Sequence, residues 1–381
     1  MIAALSDRAD YPTLIEATYL NQASLGLTPQ PAIAAMHRFL DDIGRHGNLY
    51  LSDAEELALV APLRGASATL MNCPPERLAI VAGASELLSQ LPYLVPPVPG
   101  RSVLCVASDF PAITRPWLAL AARTDTHVHF VDDNANTDLT DALLEQIRPQ
   151  TGVVAVSHVQ FSTGTVVDIP RLRAATRAVG ASLVVDVTQS AGALPIDATA
   201  WDADAVVSSG YKWLGGQGGI GLAALSPELA GHTPPMPGWM GAPDPFDTQA
   251  TRLPLADGAR RFTQSTLSYA TVSGLACAIE ALNRLGPNAI AQHATALAGA
   301  LSAKLGATAW RPFRAVGTAA ASPHIVTLAH PAADAEQLVP KLRNAGVVCS
   351  ARQGRVRVSL AHYNTCTDLD ALVSALQPLT P

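Results

Sequence analysis

The sequence predicts an α/β protein with a mostly parallel central sheet flanked by helices, and a smaller α+β domain toward the C-terminus. Three observations point to this fold class. Short runs of Val, Ala and Leu alternate with helical stretches from residue 78 to residue 226. Most of these runs show no regular polar alternation, as is typical of parallel strands buried on both faces. Near residue 232 the pattern gives way to a segment rich in Pro and Gly, which marks a boundary.

The elements of the larger unit follow in chain order. A loop interrupted by Gly and Pro leads from residue 18 into a first helix, and a second helix is predicted at about 54–70. The predicted strands are 78–83, 102–108, 126–132, 152–159, 182–187, 204–209 and 220–226. The helices predicted between them are 85–94, 138–147 and 170–180.

The C-terminal part has a different order of elements. A long helix is predicted at about 268–286, followed by helices at 288–305 and 334–345 and a terminal helix. Its predicted strands are 324–330, 347–351 and 355–361. From this pattern we place a large α/β domain at 15–255 and a small domain formed by 1–14 and 256–381.

The composition excludes several classes of protein. The net charge is -6, and no basic stripe is present, so nucleic acid is not expected as a partner. No stretch of about 20 residues is uninterruptedly apolar, so we expect no membrane-spanning helix. Charged residues come too early for a secretory signal peptide. The five cysteines are widely spaced without a CxxC pair, which predicts a cytoplasmic protein with neither a metal site nor a disulfide framework.

Lysine is scarce, and one lysine has an unusual setting. The chain has only Lys212, Lys304 and Lys341. Lys212 comes shortly after a predicted strand, and Asp186 ends another, at the sheet edge where open α/β sheets bind ligands. Burial and nearby positive charge lower the pKa of an amine, which then attacks carbonyl groups more readily. From these residues alone, a simple ion pair or two unrelated surface residues remain open alternatives.

The segments DVTQSAG (186–192) and SSGYKWLGG (208–216) carry a family resemblance. In this order and at this separation they resemble the class V aminotransferase family, fold type I enzymes that depend on pyridoxal 5'-phosphate (PLP). That family includes cysteine desulfurases, selenocysteine lyases, kynureninases and isopenicillin N epimerase-like proteins. The resemblance extends from TYLNQASLG at residue 18 to HYNTCTDLDAL, which ends at residue 372.

The resemblance implies a role for each residue of the two segments that matches the family pattern. Lys212 is implied as the lysine that forms the Schiff base, and Asp186 as the partner of the pyridinium nitrogen. Gln189 is implied to hydrogen-bond the phenolic oxygen of the cofactor, and Ser209 to contact its phosphate. These are the protein functions that PLP requires around its ring.

Four more cofactor contacts follow from the resemblance. Gly83, Ala84 and Ser85 match the phosphate cup of the family, at a helix N-terminus that is suited to an anion. Phe110 matches the residue that stacks on the cofactor ring. Desulfurases commonly have His at that position, whereas an aromatic residue followed by Pro is more similar to kynureninase.

Two other segments resemble parts of the family that reach the cofactor of the neighbouring subunit. They are PGWMG, with Trp239, and RRFTQSTLS, with Thr266. The resemblance therefore implies a homodimer with composite active sites.

The substrate contacts are implied by the C-terminal signature and by three other positions. Arg357 is implied to bind the substrate carboxylate, a bidentate task suited to a guanidinium group. Strand alternation puts Arg355 on the same face, so Arg355 remains an alternative. Phe161, Asn21 and His158 are the further candidates. Kynureninases have an aromatic residue at the position of Phe161, where desulfurases tend to have Asn.

We therefore predict a PLP-dependent enzyme that acts on an α-amino acid, with a lyase reaction at Cβ as the favoured outcome. Transamination and epimerisation within the same family remain alternatives, as does a PLP-binding scaffold without turnover. Desulfurases carry a nucleophilic Cys on a loop before the last strand. Here Cys349 falls on the preceding predicted strand, so persulfide-forming desulfuration is not expected.

Overall fold

The computed structural model of the protein describes residues 2–97, 100–306 and 308–377. Within these ranges the strands are β1 Thr18–Tyr19, β2 Leu78–Val81, β3 Ser102–Val106, β4 His127–Val131, β5 Thr151–Ser157, β6 Ser182–Asp186, β7 Ala205–Ser209, β8 Gly221–Leu225, β9 Arg311–Pro312, β10 Ile325–Ala329, β11 Val347–Val348, β12 Ser350–Arg352 and β13 Arg355–Ser359.

The α-helices of the same ranges are α1 Thr13–Glu16, α2 Gln30–His46, α3 Asp53–Ala58, α4 Ala61–Leu70, α5 Ala84–Leu94, α6 Pro111–Ala121, α7 Leu139–Gln146, α8 Ile169–Ala178, α9 Ala198–Trp201, α10 Pro227–Gly231, α11 Tyr269–Leu285, α12 Pro287–Leu305, α13 Ala335–Asn344 and α14 Cys366–Leu376. Short 3-10 turns are Arg8–Asp10, Pro75–Arg77, Trp239–Gly241 and Gly258–Phe262.

The structure differs from the predicted helices at two places, and Pro explains both differences. The helix predicted at 54–70 is divided into α3 and α4. Pro62 lies in the first turn of α4, where it lacks an N–H and its ring crowds the carbonyl four residues back, so one continuous helix cannot form. The helix α6 was not expected from the sequence. It begins at Pro111, a favourable first helical position, and also contains Pro116, which obscures the helical pattern.

The central sheet brings the carboxyl ends of its strands together. In the described ranges its order is β2-β8-β7-β6-β5-β3-β4, and β8 runs antiparallel to both of its neighbours. Ser157, the last residue of β5, pairs with Asp186, the last residue of β6. Asp186 in turn pairs with Val207 of β7. The segments that follow these strands therefore lie side by side at one edge.

The smaller part is built on two further sheets. The strands β12-β13-β10-β9 form an antiparallel sheet, and β1 pairs in parallel with β11. Helices α12, α13 and α14 pack their apolar residues with this part. Two placements differ from the predicted domain limits: β1 joins the smaller part although it follows residue 15, and α11 packs into the core of the larger part although it follows residue 256. Long-range packing decides both placements.

No helix in the described ranges combines the length and the apolar character that a bilayer crossing requires.

Candidate active site

A cavity at the carboxyl ends of the parallel strands contains both Lys212 and Asp186. Eight of the fourteen residues predicted for the site lie in its wall, together with Ala112, Ser157, Thr188 and Tyr211. These eight are Ala84, Ser85, Phe110, Phe161, Asp186, Gln189, Ser209 and Lys212. The structure therefore brings together segments that lie far apart in the sequence.

Lys212 is held in a turn between β7 and β8. Its side chain is buried, with 6% of the residue exposed, and its Nζ lies 5.0 Å from the ring centre of Phe110 and 5.7 Å from that of Tyr211. Its backbone carbonyl accepts a hydrogen bond of 2.9 Å from Nε2 of Gln22. Gln22 thus holds the backbone of Lys212, and the Lys212 amine lies beside two aromatic rings.

The surroundings of Lys212 lower the pKa of its amine to about 8. Burial is the main cause, because it penalises the charged ammonium form. The positive charges of Arg357 and Arg352 act in the same direction, whereas Asp186 opposes them. A larger share of this amine is therefore neutral and nucleophilic at physiological pH than for an exposed lysine.

Asp186 presents a buried carboxylate opposite this amine. It is 5% exposed, and its Oδ1 accepts a hydrogen bond of 2.7 Å from the backbone N–H of Thr188. Burial raises the pKa of the Asp186 carboxyl, while the Thr188 hydrogen bonds and the charge of Lys212 act against that rise. Oγ1 of Thr188 also accepts a bond of 3.0 Å from the N–H of Ser209, which ties β6 to β7. Such a carboxylate suits a cationic partner such as a protonated ring nitrogen.

Gln189 is fixed by three contacts. Its Oε1 accepts a hydrogen bond of 2.9 Å from Nε1 of Trp213, and its Nε2 donates one of 3.0 Å to the carbonyl of Ala23. Its backbone carbonyl lies 2.6 Å from Nε2 of His324. A side-chain amide has two N–H donors, so Gln189 retains one that fits a phenolic oxygen.

The opposite end of the cavity suits a phosphate group. Gly83 precedes the first turn of α5, whose early N–H groups have no partner within the helix. Gly221 of β8 lies so close to this turn that a Cβ there would be 2.6 Å from the backbone nitrogen of Ala84. Ser85 and Ser209 line the same end. A helix N-terminus with two hydroxyl side chains fits the phosphate of PLP.

Asp109 is a residue that sequence reasoning missed. Its buried carboxylate accepts hydrogen bonds from the backbone N–H and the hydroxyl of Ser157, at 2.7 and 2.6 Å. It also accepts from the N–H of Phe110 at 2.7 Å and from Nε2 of Gln160 at 3.2 Å. Burial raises the pKa of Asp109 to about 6. Asp109 therefore fixes the backbone of Phe110, and the only signal in the sequence is an acid directly after a strand.

Two aromatic rings line one side of the cavity. The rings of Phe110 and Phe161 meet edge to face, with centres 5.4 Å apart and an interplanar angle of 82°. Phe110 is partly exposed, so its face is free to stack on a planar ligand.

Arg357 is 1% exposed and is not part of the cavity wall; it lies behind Phe161, at the end that we call the substrate end. Its Nη1 donates to the carbonyl of Phe161 at 2.7 Å, and its Nη2 to Oγ of Ser24 at 2.5 Å. Among the described residues, its Nε has no hydrogen-bond partner, and neither has the buried Oδ1 of Asn21. The alternative residue, Arg355, instead stacks on Phe313, with 4.4 Å between the guanidinium carbon and the ring centre. The geometry favours Arg357 as the carboxylate ligand.

His158 does not reach this cavity. Ser157 faces the cavity, and neighbouring residues of a strand point to opposite faces, so His158 points away. Its Nδ1 lies 2.9 Å from Oγ of Ser190, and its ring packs edge to face against Trp201 at 4.8 Å. Burial lowers the pKa of His158 to about 3. The structure therefore gives His158 a role in packing, in place of the predicted substrate contact.

Trp239 and Thr266 lie on the surface, outside the Lys212 cavity of their own chain. Their two segments contact each other: Nε2 of Gln264 donates to the carbonyl of Met236 at 2.9 Å, and a Cβ on Gly238 would overlap Gln264. Trp239 is 45% exposed. The two segments predicted to reach a neighbouring subunit thus form one exposed surface.

None of the five cysteines lies in the wall of the Lys212 cavity. Cys349 is buried with the apolar core of the smaller part. Burial raises the pKa of its thiol to about 12, so it is not a thiolate at physiological pH.

Comparison with known proteins places this site in a family. The family model described as Aminotransferase class-V matches residues 18–372. Cysteine desulfurase CsdA of Escherichia coli (strain K12) is 28% identical over 404 residues, covering 97% of this chain and 96% of that protein. Kynureninase of Burkholderia mallei (strain SAVP1) is 28% identical over 296 residues, covering 75% of this chain and 70% of that protein.

Solved structures share the fold. The E. coli CsdA structure with an S-sulfonic acid has a TM-score of 0.85 at 24% identity, covering 98% of this chain and 97% of that one. The complex of the cystine C-S lyase C-DES with its product cysteine persulfide has a TM-score of 0.88 at 23% identity, covering 97% and 100%.

The fold is that of the PLP-dependent enzymes of fold type I, and the family match places the chain in this class. Within that class, the chain belongs to the class V aminotransferase family over nearly its whole length. The predicted fold class, family and cofactor are therefore confirmed.

Proposed function

We propose that this enzyme is a lyase that breaks a bond at Cβ of an α-amino acid, with a C–S lyase or a kynureninase-like reaction as the two forms. The desulfurase and kynureninase relatives support a lyase. The single observation that carries the proposal is the cavity itself, where a buried amine, a buried carboxylate and two phenylalanine rings meet without a cysteine.

When bound, PLP supplies an electron sink for negative charge at Cα. The residues of the chain supply the rest. Asp186 holds a proton on the ring nitrogen, and Arg357 binds the substrate carboxylate with its in-plane N–H donors. The Lys212 amine, with a pKa of about 8, is suited to take the proton from Cα and to return it. Phe110 and Phe161 line the cavity with apolar rings.

The absence of a usable thiol near Lys212 distinguishes this proposal from desulfuration. A cysteine that accepts sulfur must be accessible and readily deprotonated. Cys349 is neither, and no other cysteine lines the cavity wall formed by the described residues. We therefore propose that the substituent at Cβ leaves directly, without passing to a cysteine of the enzyme.

A panel of amino acids with mass-spectrometric identification of products tests the proposal. A lyase gives a three-carbon fragment, pyruvate or alanine, together with the released group. A keto acid with pyridoxamine phosphate would instead show transamination, and an inverted α-centre would show epimerisation. Lys212→Ala is expected to lower turnover at least about 100-fold. Lys304→Ala, at an exposed ion pair with Asp370, is the matched control and should leave turnover unchanged.

We also propose that the active unit is a homodimer in which Trp239 and Thr266 complete the cofactor site of the partner. The support is their position: both lie on one exposed surface and neither lines the cavity of its own chain. The half-exposed Phe110, next to Ser85, leaves the phosphate side of the cavity open to such a partner.

A further inference from the structure

A second arginine, Arg352, lies beside Arg357 at the substrate end. In the antiparallel pair of β12 and β13, Ser350 is opposite Arg357 and Arg352 is opposite Arg355. Opposed residues of such a pair project to the same face, so Arg352 and Arg357 share one face of the sheet. Both guanidinium groups converge on one hydroxyl, since Nη2 of Arg352 donates to Oγ of Ser24 at 3.2 Å and Nη2 of Arg357 at 2.5 Å.

Neither arginine has an acidic partner within the described ranges. The other hydrogen bond of Arg352 goes from Nη1 to the carbonyl of its neighbour Ala351, at 2.6 Å. Arg357 uses the carbonyl of Phe161. Both positive charges are close enough to lower the pKa of Lys212. Two arginines without an acidic partner therefore lie near Lys212, and Asp186 is the acidic group that lines the cavity formed by the described residues.

The charges of a bound substrate and cofactor balance all but one of these groups. Asp186 is matched by the ring nitrogen, and the phosphate belongs at the opposite end, near Ser85 and Ser209. The Lys212 amine is used to attach the cofactor, so it is not available as a free cation. The α-carboxylate of the substrate satisfies Arg357. Arg352 then remains as a half-buried guanidinium without an anion, beside Arg357 on the same face of the sheet.

We propose that Arg352 binds a second anionic group on the side chain of the substrate, such as a carboxylate or a sulfur oxyanion. The enzyme then prefers acidic α-amino acids to neutral ones of the same size. This inference rests on the proposed function, because the ligand enters the Lys212 site. It goes beyond that function by assigning the substrate class and the residue that selects it.

The rival arrangement has both arginines sharing the α-carboxylate. In that arrangement Arg352 contributes equally to every amino acid, because all of them carry that group. In the proposed arrangement its contribution is confined to ligands with a second anion. The two arrangements therefore differ in the effect of Arg352 on the ratio of two affinities, that for a ligand with two anionic groups and that for a ligand with one.

Calorimetric binding of succinate and of butyrate to the holoenzyme measures that ratio without turnover. Succinate carries two carboxylates, and butyrate is a ligand of the same length with one. Arg352→Gln is expected to weaken succinate binding by about tenfold or more, as loss of a charged hydrogen bond does, and butyrate binding less than about twofold. Arg352→Lys should keep part of the preference. Arg355→Gln is the matched control. Because Arg355 stacks on Phe313, this variant should leave the affinities for succinate and butyrate unchanged.

Equal losses for succinate and butyrate in Arg352→Gln would overturn the inference, as would a wild-type enzyme that binds the two equally. The same variants are then compared in kcat/KM for an acidic amino acid and for its amide. A preference for dianions that depends on Arg352, in an enzyme without lyase products, would refute the proposed function and leave this inference standing. Lyase products without that preference would refute the inference alone.

Discussion

At the scale of single residues, the chemistry of the site depends on what burial does to charged groups. Burial lowers the pKa of the Lys212 amine and raises that of the Asp186 carboxyl, so it favours the neutral form of each group. The amine is thereby kept reactive at physiological pH. The hydrogen bonds of Thr188 and the positive charge of Lys212 act against the rise in the pKa of the Asp186 carboxyl.

The first prediction is a pH dependence of cofactor attachment. The rate at which the apo-protein forms its covalent bond to PLP should rise with pH and level off above about 8, because only the neutral Lys212 amine attacks the aldehyde. Stopped-flow absorbance between about pH 6 and about pH 10 measures the midpoint. Borohydride reduction and peptide mass spectrometry then show whether Lys212 carries the label.

The charges around Lys212 provide the control for this profile. Since the positive charge of Arg352 lowers the pKa of Lys212, Arg352→Gln should move the midpoint to higher pH, and Arg355→Gln should not move it. A wild-type midpoint near the value of about 10.4 for an exposed lysine would contradict the prediction. Labelling at Lys304 or Lys341 in place of Lys212 would contradict the assignment itself.

At the scale of elements, the loop between β1 and α2 holds the turn that carries Lys212. Oε1 of Gln22 accepts from the N–H of Leu27 at 2.9 Å and from the hydroxyl of Tyr363 at 2.7 Å, while its Nε2 binds the carbonyl of Lys212. The N–H of Gly26 donates to the carbonyl of Tyr211 at 2.9 Å. The loop thus joins the Lys212 turn to the smaller part of the molecule.

The second prediction concerns Gly26. A Cβ at this position would overlap the carbonyl oxygen of Lys212 and lie 2.7 Å from Nε2 of Gln22, so the loop has to move. Gly26→Ala should lower the free energy of unfolding by about 1–3 kcal/mol and weaken PLP binding. Urea unfolding and a PLP titration measure the two effects.

Gly44 is the control for the Gly26 variant. It lies in α2 with nothing within 4 Å of an added Cβ. Gly44→Ala should raise the free energy of unfolding by about 0.5–1 kcal/mol and leave PLP binding unchanged. If both alanine variants behaved alike, close packing of Gly26 against the Lys212 turn would not be the cause.

The third prediction concerns a buried ion pair that ties the segment after β9 to the loop after β4. Nη2 of Arg314 lies 2.7 Å from Oδ1 of Asp133, and Oδ2 of Asp133 accepts from Oγ1 of Thr163 at 2.6 Å. Arg314→Leu leaves a buried carboxylate unpaired and should cost about 3–5 kcal/mol of unfolding free energy. Urea unfolding measures this cost.

An exposed ion pair gives the comparison. Arg171 binds Asp141 at 2.8 Å on the surface, so Arg171→Leu should cost less than about 1 kcal/mol. The double variant Arg314→Leu with Asp133→Leu should recover part of the loss, because no charge is left without a partner. If Arg314→Leu were as stable as Arg171→Leu, the ion pair of Arg314 and Asp133 would not stabilise the fold as predicted.

At the scale of the whole molecule, the fourth prediction tests composite sites. Thr266→Asp should repel the phosphate of PLP and inactivate the homodimer, as Lys212→Ala does. In a hybrid of the two variants, one site receives Lys212 from one chain and Thr266 from the other, and is intact. Mixing both variants through refolding should restore about a quarter of wild-type turnover, because half of the dimers are hybrids with one intact site.

The control for the hybrid replaces the Thr266→Asp chain with a chain that carries both substitutions. No combination then has an intact site, so turnover should stay absent. If the first mixture also stayed inactive, with hybrids present by sedimentation and native mass spectrometry, Thr266 would act within its own chain.

Much of the fold is determined by local sequence. The apolar runs predicted β2, β3 and β5 through β8, because burial on both faces leaves no polar alternation to obscure them. The edge strand β4, largely exposed, was also predicted, although its sequence HVHFV includes two histidines. The motif around Asp186 and Lys212 was likewise recognisable, since each half is contiguous. The helix α6 was missed because its two prolines resemble a loop, although Pro111 is well placed at its start.

The sequence by itself determined the fold class and the family, and it singled out Lys212 as the candidate for the Schiff base. Only the tertiary structure decided that His158 points away from the cavity and that Arg355 stacks on Phe313. It also decided that Asp109 holds the backbone of Phe110 and that Arg352 shares the hydroxyl of Ser24 with Arg357. The physical reason is the separation along the chain of the residues that are in contact. Periodicity records which face of an element is buried, but the contacts of a polar side chain are set by segments far away in the chain. Ser24 and Arg352 meet across 328 positions.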